Sequence, residues 1–359
     1  MISNINSKLK SKKEKNENKK KEDLFKLNNK KNIKEKIEQN HSKNSENKII
    51  IPDYLKVNEI KEGRIKSYSY YSLEGKNIEG FQKINQDSYL ILPNINNHKD
   101  FNIFCIFDGH GQEGQFISSF VSKYFSNFFK NDEKLNSKKN NKSLDNINYI
   151  LQDNNFSFIK NLFKNTENEL NKNNKIDSNF SGTTCTLLIQ IADRIICANV
   201  GDSKAIMIKS YERIIEISKD HKPYLPEESN RILKNGGEIY QTEEYNDKIG
   251  PYRIWQKGEK YPGIDISRSI GDLIATRLGV ISTPDVVEKY IDNGIKFIVI
   301  MTKGVCEYLS SKEIMDIVFP FYQKKDAKGA CQTIINIASK LWNEEDIVVD
   351  DLTAIVIFF

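Results

Sequence analysis

The sequence has little cysteine, no long apolar run and an uneven supply of positive charge. Its five cysteines (Cys105, Cys185, Cys197, Cys306 and Cys331) are scattered along 359 residues and form no Cys-x-x-Cys pair. That spacing argues against a zinc site and a disulfide framework. Most of the five sit in apolar runs and read as reduced, buried thiols with no disulfide partner. No apolar stretch approaches the ~20 residues needed to span a bilayer, so no transmembrane segment is expected. Nor does an apolar segment follow the first positive charges, and Met1 precedes Ile2, so neither a secretory leader nor a myristoylation signal is expected. These absences predict an intracellular protein, cytoplasmic or nuclear. A monomer is expected.

The net charge of +5 suggests a basic protein until the charges are located. Residues 1–48 hold 15 lysines, no arginine and 7 acidic residues, a net of +8. The other residues hold 39 basic and 42 acidic side chains, a net of −3. Lysine and asparagine fill 25 of the first 48 positions, too polar a composition to offset the entropy of ordering. Residues 1–48 therefore read as a disordered Lys/Asn-rich tail. Clustered lysine attracts phosphate, so contact with nucleic acid or an anionic membrane is the alternative use of this tail. Against that stand its lack of arginine, of interleaved aromatics and of an amphipathic period. The same composition returns near 131–155 and 164–179, which read as insertions in surface loops, where added length costs little.

From about residue 65 the texture is globular. Residues 102–107 (Asn-Ile-Phe-Cys-Ile-Phe) read as a buried strand ending in the turn Asp108-Gly109-His110-Gly111. Phe116, Phe120, Tyr124 and Phe128, with Ile117, Val121, Phe125 and Phe129 beside them, predict a helix with a broad buried face. Thr184–Ile208 reads as three antiparallel strands with turns at 192–193 and 201–203. Pro226 opens a short helix that stops at Gly236-Gly237, and Ser310-x-x-Glu313 is a capping box. A helix over about 326–343 and a last strand over 353–359 follow. Strands arrive in hairpins and helices come together, so the expected class is α+β: two packed antiparallel sheets with helices outside.

Aspartates recur where these strands end: Asp87, Asp108, Asp202, Asp272 and the pair Asp350-Asp351. One such aspartate is usually a turn former. Several in one domain suggest carboxylates converging at a sheet edge, where they repel unless a cation neutralises them. All-oxygen sites suit Mg2+ or Mn2+. Gly109 would let its carbonyl approach a metal closely.

These residues stand in a sequence of motifs: Asn85-Gln86-Asp87, Phe107-Asp108-Gly109-His110-Gly111, Ser181-Gly182-Thr183-Thr184 and Val200-Gly201-Asp202-Ser203. Asp220-His221-Lys222-Pro223, Pro262-Gly263-Ile264-Asp265, Ser267-Arg268-Ser269-Ile270-Gly271-Asp272 and Asp350-Asp351-Leu352-Thr353 follow. In that order they resemble the metal-dependent protein serine/threonine phosphatases, the PPM family, also called type 2C, over residues 65–359. The resemblance implies a four-layer α-β-β-α sandwich and a two-metal centre. It also implies hydrolysis of phosphoserine or phosphothreonine on a phosphoprotein by a metal-activated water. By resemblance, Asp108 is the bridging metal ligand, Gly109 lends its carbonyl and Asp350 is a ligand from the C-terminal strand. Asp202 belongs to a third, weaker metal position. Asp87 orients water, His110 is the general acid, and 221–262 is a flap beside the cleft.

The sequence also departs from that pattern. The family has Asp-Gly after the strand that here ends Val299-Ile300-Met301, and this chain has Lys303-Gly304. Lysine has no acceptor and cannot bind a cation. Its ammonium is expected against Asp108 and Asp350, with one of the two Mg2+ or Mn2+ sites weakened or lost. Gln82 falls where some members have a phosphate-binding arginine, and Lys83 beside it is the expected substitute. The expectation is a phosphatase of reduced activity; the alternative is an inactive pseudophosphatase that keeps the fold for binding or scaffolding. His221 reads as a structural flap residue, Arg268 as an organiser of the carboxylate-rich centre, and Trp255 and Trp342 as packing residues.

Overall fold

The computed structural model describes residues 58–59, 63–135, 144–151, 155–211, 213–244, 247–292, 294–346 and 348–359. The expected tail at 1–48 lies outside the described residues. Those described belong to one compact unit, Asp53–Phe359.

Two antiparallel sheets form its centre. One has five strands in the order Asp285–Tyr290, Arg194–Val200, Cys185–Ile191, Phe101–Phe107 and Ser88–Leu92. The other has six: Asn58–Glu59, Ser67–Leu73, Leu352–Phe358, Phe297–Met301, Lys204–Ser210 and Arg213–Glu216. The strand Phe101–Phe107 shows why its sequence is apolar apart from Asn102, which hydrogen-bonds to Gln190 of the neighbouring strand. Successive side chains point to opposite faces. Phe104 and Ile106 join Ile298, Ile300, Ile355 and Ile357 of the other sheet in the core between the sheets. Phe101, Ile103, Cys105 and Phe107 join the helices outside. Both faces are buried, so no polar alternation is left to read.

Helix Gly114–Asn131 covers the five-stranded sheet together with Leu144–Leu151 and Ser157–Asn171. Its buried row is Ile117, Val121, Phe125 and Phe129, spaced i, i+4, while Phe116 is half exposed and Phe120, Tyr124 and Phe128 are only partly buried. Phe125 meets Phe107 and Phe163 edge-on, with ring centres 5.7 and 5.2 Å away. Helices Ser311–Lys324 and Ala327–Glu345 accompany the six-stranded sheet, the latter against Leu352–Phe358 and Ser67–Leu73. The four layers are thus α-β-β-α, as expected. The capping box forms, with Ser310 Oγ accepting from the Glu313 N–H and the Glu313 carboxylate accepting from the Ser310 N–H. Among the described residues no helix is long and apolar enough to cross a membrane.

Three expectations need correction. The stretch at 131–155 is not wholly loop: Leu144–Leu151 is a helix that buries Ile147 and Leu151, while 136–143 and 152–154 lie outside the described residues. Likewise 164–171 completes the helix Ser157–Asn171, because Leu162, Phe163, Thr166 and Leu170 give it a buried stripe that composition alone conceals. The three strands of 184–208 exist, but the third leaves the sheet of the first two. After the turn at Gly201–Ser203, Lys204–Ser210 pairs with Phe297–Met301 in the other sheet.

A third sheet, Gly237–Glu244, Asp247–Gln256 and Pro262–Ile264, is the flap. A buried ionic network ties its base to the sandwich. Glu228, 2% exposed on the helix Pro226–Lys234, accepts from Arg231 Nη2, Arg268 Nη2 and Ser267 Oγ, all at 2.6 Å. Arg268 reaches on to Asp285 at 2.7 Å, and Asp285 lies 3.3 Å from His221 Nε2. Burial raises the Glu228 pKa, but the hydrogen bonds from Arg231, Arg268 and Ser267 override it and hold the carboxyl at about 2, below its ordinary 4.5. Removing Glu228 takes charge-assisted hydrogen bonds from Arg231 and Arg268, the latter keeping only Asp285 and the Thr283 carbonyl, so Glu228→Ala should cost about 1–3 kcal/mol at neutral pH. A lowered carboxyl pKa gives stability that is full above pH 4.5 and lost as pH falls toward about 2. The gap between parent and variant in urea unfolding should therefore be wider at pH 7 than at pH 3.5. Equal gaps would show that Glu228 is not held as a carboxylate.

Candidate active site

Antiparallel pairing decides which residues meet. Asp108 follows the strand Phe101–Phe107, and Asp87 precedes its neighbour Ser88–Leu92. Lys303 follows Met301, and Asp350 and Asp351 precede Leu352 on the strand paired to it. Ends of some strands and starts of others share one edge, so the aspartates that are far apart in sequence come together. Of these, Asp108 and Asp350 line a cleft of about 290 Å3 together with Gly109, His110, Asp202 and Lys303.

Each carboxylate has a different answer to its burial. Asp351 is structural: it accepts from the backbone N–H groups of Gly75 at 2.7 Å and Gln86 at 2.9 Å. Asp350 Oδ1 accepts from Lys83 Nζ at 3.1 Å. Asp202 Oδ2 accepts from Lys222 Nζ at 2.6 Å. Asp87 Oδ2 accepts from the hydroxyls of Thr353 and Thr302, at 2.6 and 3.0 Å, while its Oδ1 is buried with no partner. Asp108 Oδ2 accepts only the backbone N–H of Lys303, at 3.1 Å. Burial first, then the Asp351 charge, pushes the Asp87 pKa up to about 8. Burial and then the charges of Asp87, Asp350 and Asp202 hold Asp108 well above the carboxylate range.

His110 sits on a short strand, Gly109–His110, paired with Gly182–Thr183, which in turn pairs with Ile270–Gly271. This brings His110 Nε2 to 2.7 Å from Asp272 Oδ2, which also accepts from Ser269 Oγ at 2.6 Å. Gly182 makes the room, since a Cβ there would lie 2.2 Å from Asp272 Oδ2. Burial lowers the His110 pKa, but the charge and hydrogen bond of Asp272 override it and raise it to about 9. Gly109 is closely held as well; a Cβ there would meet the Gln86 carbonyl at 2.4 Å.

Two expectations about lysine are corrected by the geometry. Lys83 is not a phosphate group's receiver in waiting; it is committed to Asp350 and, at 3.5 Å, to Asp351. Lys303 does not pair with Asp108 and Asp350. Its ammonium turns to Asp265, just past the flap strand Pro262–Ile264, at 2.9 Å. Lys222 lies 3.8 Å from the same carboxylate. Burial raises the Asp265 pKa, but the charges of Lys303 and Lys222 override it and hold it at about 2. Arg268 also serves elsewhere than expected, under the flap, on Glu228 and Asp285. His221 is structural, its Nδ1 accepting the Gly201 N–H at 3.1 Å, and Trp342 packs with its N–H on the Gly304 carbonyl at 2.6 Å. Asp265, Lys222 and the role of Asp272 were missed as site features, although all three stand inside the motifs that carry the resemblance.

Comparison with known proteins now has a geometry to explain. The family model described as Protein phosphatase 2C matches residues 71–347. The chain belongs to the protein phosphatase 2C family. Its enzyme class is therefore that of the protein serine/threonine phosphatases. The probable protein phosphatase 2C 34 of Arabidopsis thaliana is 30% identical over 292 residues, 78% of each chain. The probable protein phosphatase 2C 35 of the same plant is 28% identical over 308 residues, 81% of this chain and 83% of the relative. In fold, the chain is similar to a serine-threonine phosphatase 2C from Toxoplasma gondii, with TM-score 0.66 at 18% identity, over 83% of this chain and 96% of that one.

Protein phosphatase 2C enzymes are metal-dependent, and the donor set fits a cation only in part. Among the described residues no three His, Cys, Asp or Glu side chains gather as a ready-made ligand group. The orphaned Asp87 Oδ1 beside the barely compensated Asp108 fits one divalent cation, with the Gly109 carbonyl as a further hard oxygen donor. The surroundings of Asp350 and Asp202 do not fit a second, because Lys83 and Lys222 already hold those carboxylates. Lys83→Met should therefore lower the melting temperature in EDTA, by about 1–3 kcal/mol of stability for a half-buried charge left unpaired. Mg2+ or Mn2+ should recover more stability in this variant than in the parent, by taking over the freed Asp350. Equal metal-induced shifts would mean that Lys83 does not compete with a cation.

Proposed function

We propose that this chain hydrolyses phosphoserine and phosphothreonine esters on proteins at a centre that holds one divalent cation, Mg2+ or Mn2+, firmly and a second weakly or not at all. The observation that carries the reading is the Asp87–Asp108 pair. Four other carboxylates around the cleft have their own lysine or backbone partners. In this half-buried pair Asp87 Oδ1 is buried without a partner, Asp87 Oδ2 has only hydroxyls, and Asp108 accepts a single N–H among the described residues. Burial of carboxylates without countercharge is costly, and a fold that only binds partners has no use for it.

A cation held by Asp108, the Gly109 carbonyl and Asp87 would supply the positive charge that activates the attacking water. The remaining steps fall to the chain. His110, charged at neutral pH, keeps its Nε2 proton on Asp272, so Nδ1 is the nitrogen that delivers a proton to the departing seryl or threonyl oxygen. Asp272 fixes the ring and keeps that proton available. Lys303, turned to Asp265, leaves Asp108 open to the cation instead of covering it. With Lys303 in place of an expected carboxylate ligand, turnover is reduced rather than absent.

One observation favours the pseudophosphatase reading. Lys83, Lys222 and Lys303 together neutralise much of the acidic rim without any metal. A phosphoserine peptide assayed with Mn2+ separates the two readings. The parent should turn over slowly and only with metal, Asp108→Ala should not, and Lys303→Asp should be faster than the parent. Calorimetry should find one strong metal site in the parent and two in Lys303→Asp. A parent without turnover beside an active Lys303→Asp would establish the pseudophosphatase; two strong sites in the parent would overturn the role given to Lys303.

A further inference from the structure

The cleft has two walls of opposite sign. On the sandwich side Asp108 and Asp350 line the cleft, with Asp87, Asp351 and the one cation Lys83 behind them. On the flap side Arg253 and Lys303 line the cleft with Asp202 and Asp265, and Lys222, behind them on the same two carboxylates, leaves the group one positive charge in excess. A phosphate ester entering such a cleft is repelled by the first wall and drawn to the second.

Among the described residues, one cation that lines the cleft is in no ion pair. Of the cationic side chains that line the cleft, His110 lies 2.7 Å from Asp272 and Lys303 2.9 Å from Asp265. Arg253, on the flap strand Asp247–Gln256, makes no ion pair within 4 Å among the described residues, although its charge helps hold the Asp265 carboxyl low after the larger effects of Lys303 and Lys222. It donates one hydrogen bond, from Nη1 to the Gly263 carbonyl at 2.6 Å. That bond pins the guanidinium to the flap, and among the described residues Nε and Nη2 have no hydrogen-bond partner. A planar fork with fixed orientation and free donors matches the oxygens of a phosphate. The two positions expected to receive phosphate from sequence do not compete: Gln82 is exposed and uncharged, and Lys83 is held by Asp350 and Asp351.

We propose that Arg253 is the residue that receives the phosphoryl group of the substrate, from the flap rather than from the sandwich. The proposal deepens the phosphatase reading and rests on it only for turnover; binding of the phosphate can be read without turnover. A flap residue in this role makes recognition depend on the flap's position, so the base network of Glu228, Arg268 and Asp285 also holds the phosphate receiver in place.

The test uses the full chain, Arg253→Ala and Arg253→Lys, with melting curves to confirm that each variant folds. A phosphoserine peptide, its unphosphorylated twin and inorganic phosphate are titrated by calorimetry in EDTA, and kinetics are measured with Mn2+. Loss of the charge-assisted bonds should weaken phosphopeptide and phosphate binding by about 10- to 100-fold in Arg253→Ala. Arg253→Lys should recover part of the loss, and the unphosphorylated peptide should bind all three alike. In turnover, KM should rise by about the same factor while kcat changes little. Unchanged phosphate affinity and KM in Arg253→Ala would overturn the proposal, as would a kcat loss with unchanged KM. Arg253-dependent phosphate binding in a parent that never turns over would uphold this assignment and sink the catalytic reading; turnover with no Arg253 dependence would do the reverse.

Discussion

Several carboxylates at one edge of a packed sandwich cannot all stay ionised without countercharge, and the rest of this structure is arranged around that constraint. The aspartates are there because antiparallel strands bring their starts and ends to a common edge. The strands that carry them are apolar and fully buried at Phe107, Met301 and Leu352, so water reaches the carboxylates from the cleft side and screens them only in part. Each must find a hydrogen bond, a lysine, a proton or a metal. Asp351 takes backbone N–H groups, Asp350 and Asp202 take lysines, and Asp87 takes hydroxyls on one oxygen only.

The lysines do more than balance charge. Lys222 and Lys303 both reach Asp265, which sits between the flap and the body of the cleft. The countercharge of the acidic centre is therefore also a tie between flap and sandwich. Beneath it, Glu228, Arg268 and Asp285 form a second tie with no part in the cleft lining. Two independent anchors on one small sheet suit an element that must hold a side chain at a fixed distance from the reacting centre.

Much of this was legible before any coordinates. Strand ends marked by Asp-Gly, the capping box at Ser310 and the opening proline of the helix at 226 depend on local chemistry, and local chemistry is written in short windows. The order of motifs was enough for the fold, because each motif is a strand end with its turn. What stayed hidden depends on reach across space. Whether Lys303 would face Asp108 or Asp265 turns on a flexible four-carbon chain, and its position gives no hint of the direction. Arg253 lies outside every motif, and only the folded flap brings it to the cleft. The helices Leu144–Leu151 and Ser157–Asn171 were hidden for a different reason: asparagine and lysine on their outer faces masked a buried stripe of Ile147, Leu151, Leu162 and Phe163.

The position of Lys303 bears on the chemistry through its backbone as much as through its side chain. Its N–H donates to Asp108 Oδ2, a bond that any residue except proline would make there. The frame that orients Asp108 is thus indifferent to the side chain at 303. What the side chain decides is only where the countercharge falls. An aspartate would add a negative charge to a rim already short of cations and so demand a second metal. The lysine instead sends its charge outward, to Asp265, and leaves Asp108 and Asp87 as the carboxyls whose ionisation is least supported by the protein alone. This is the physical basis of the proposed one-cation centre: Asp87 Oδ1 and Asp108 lack countercharge, while Asp350 and Asp202 already have Lys83 and Lys222.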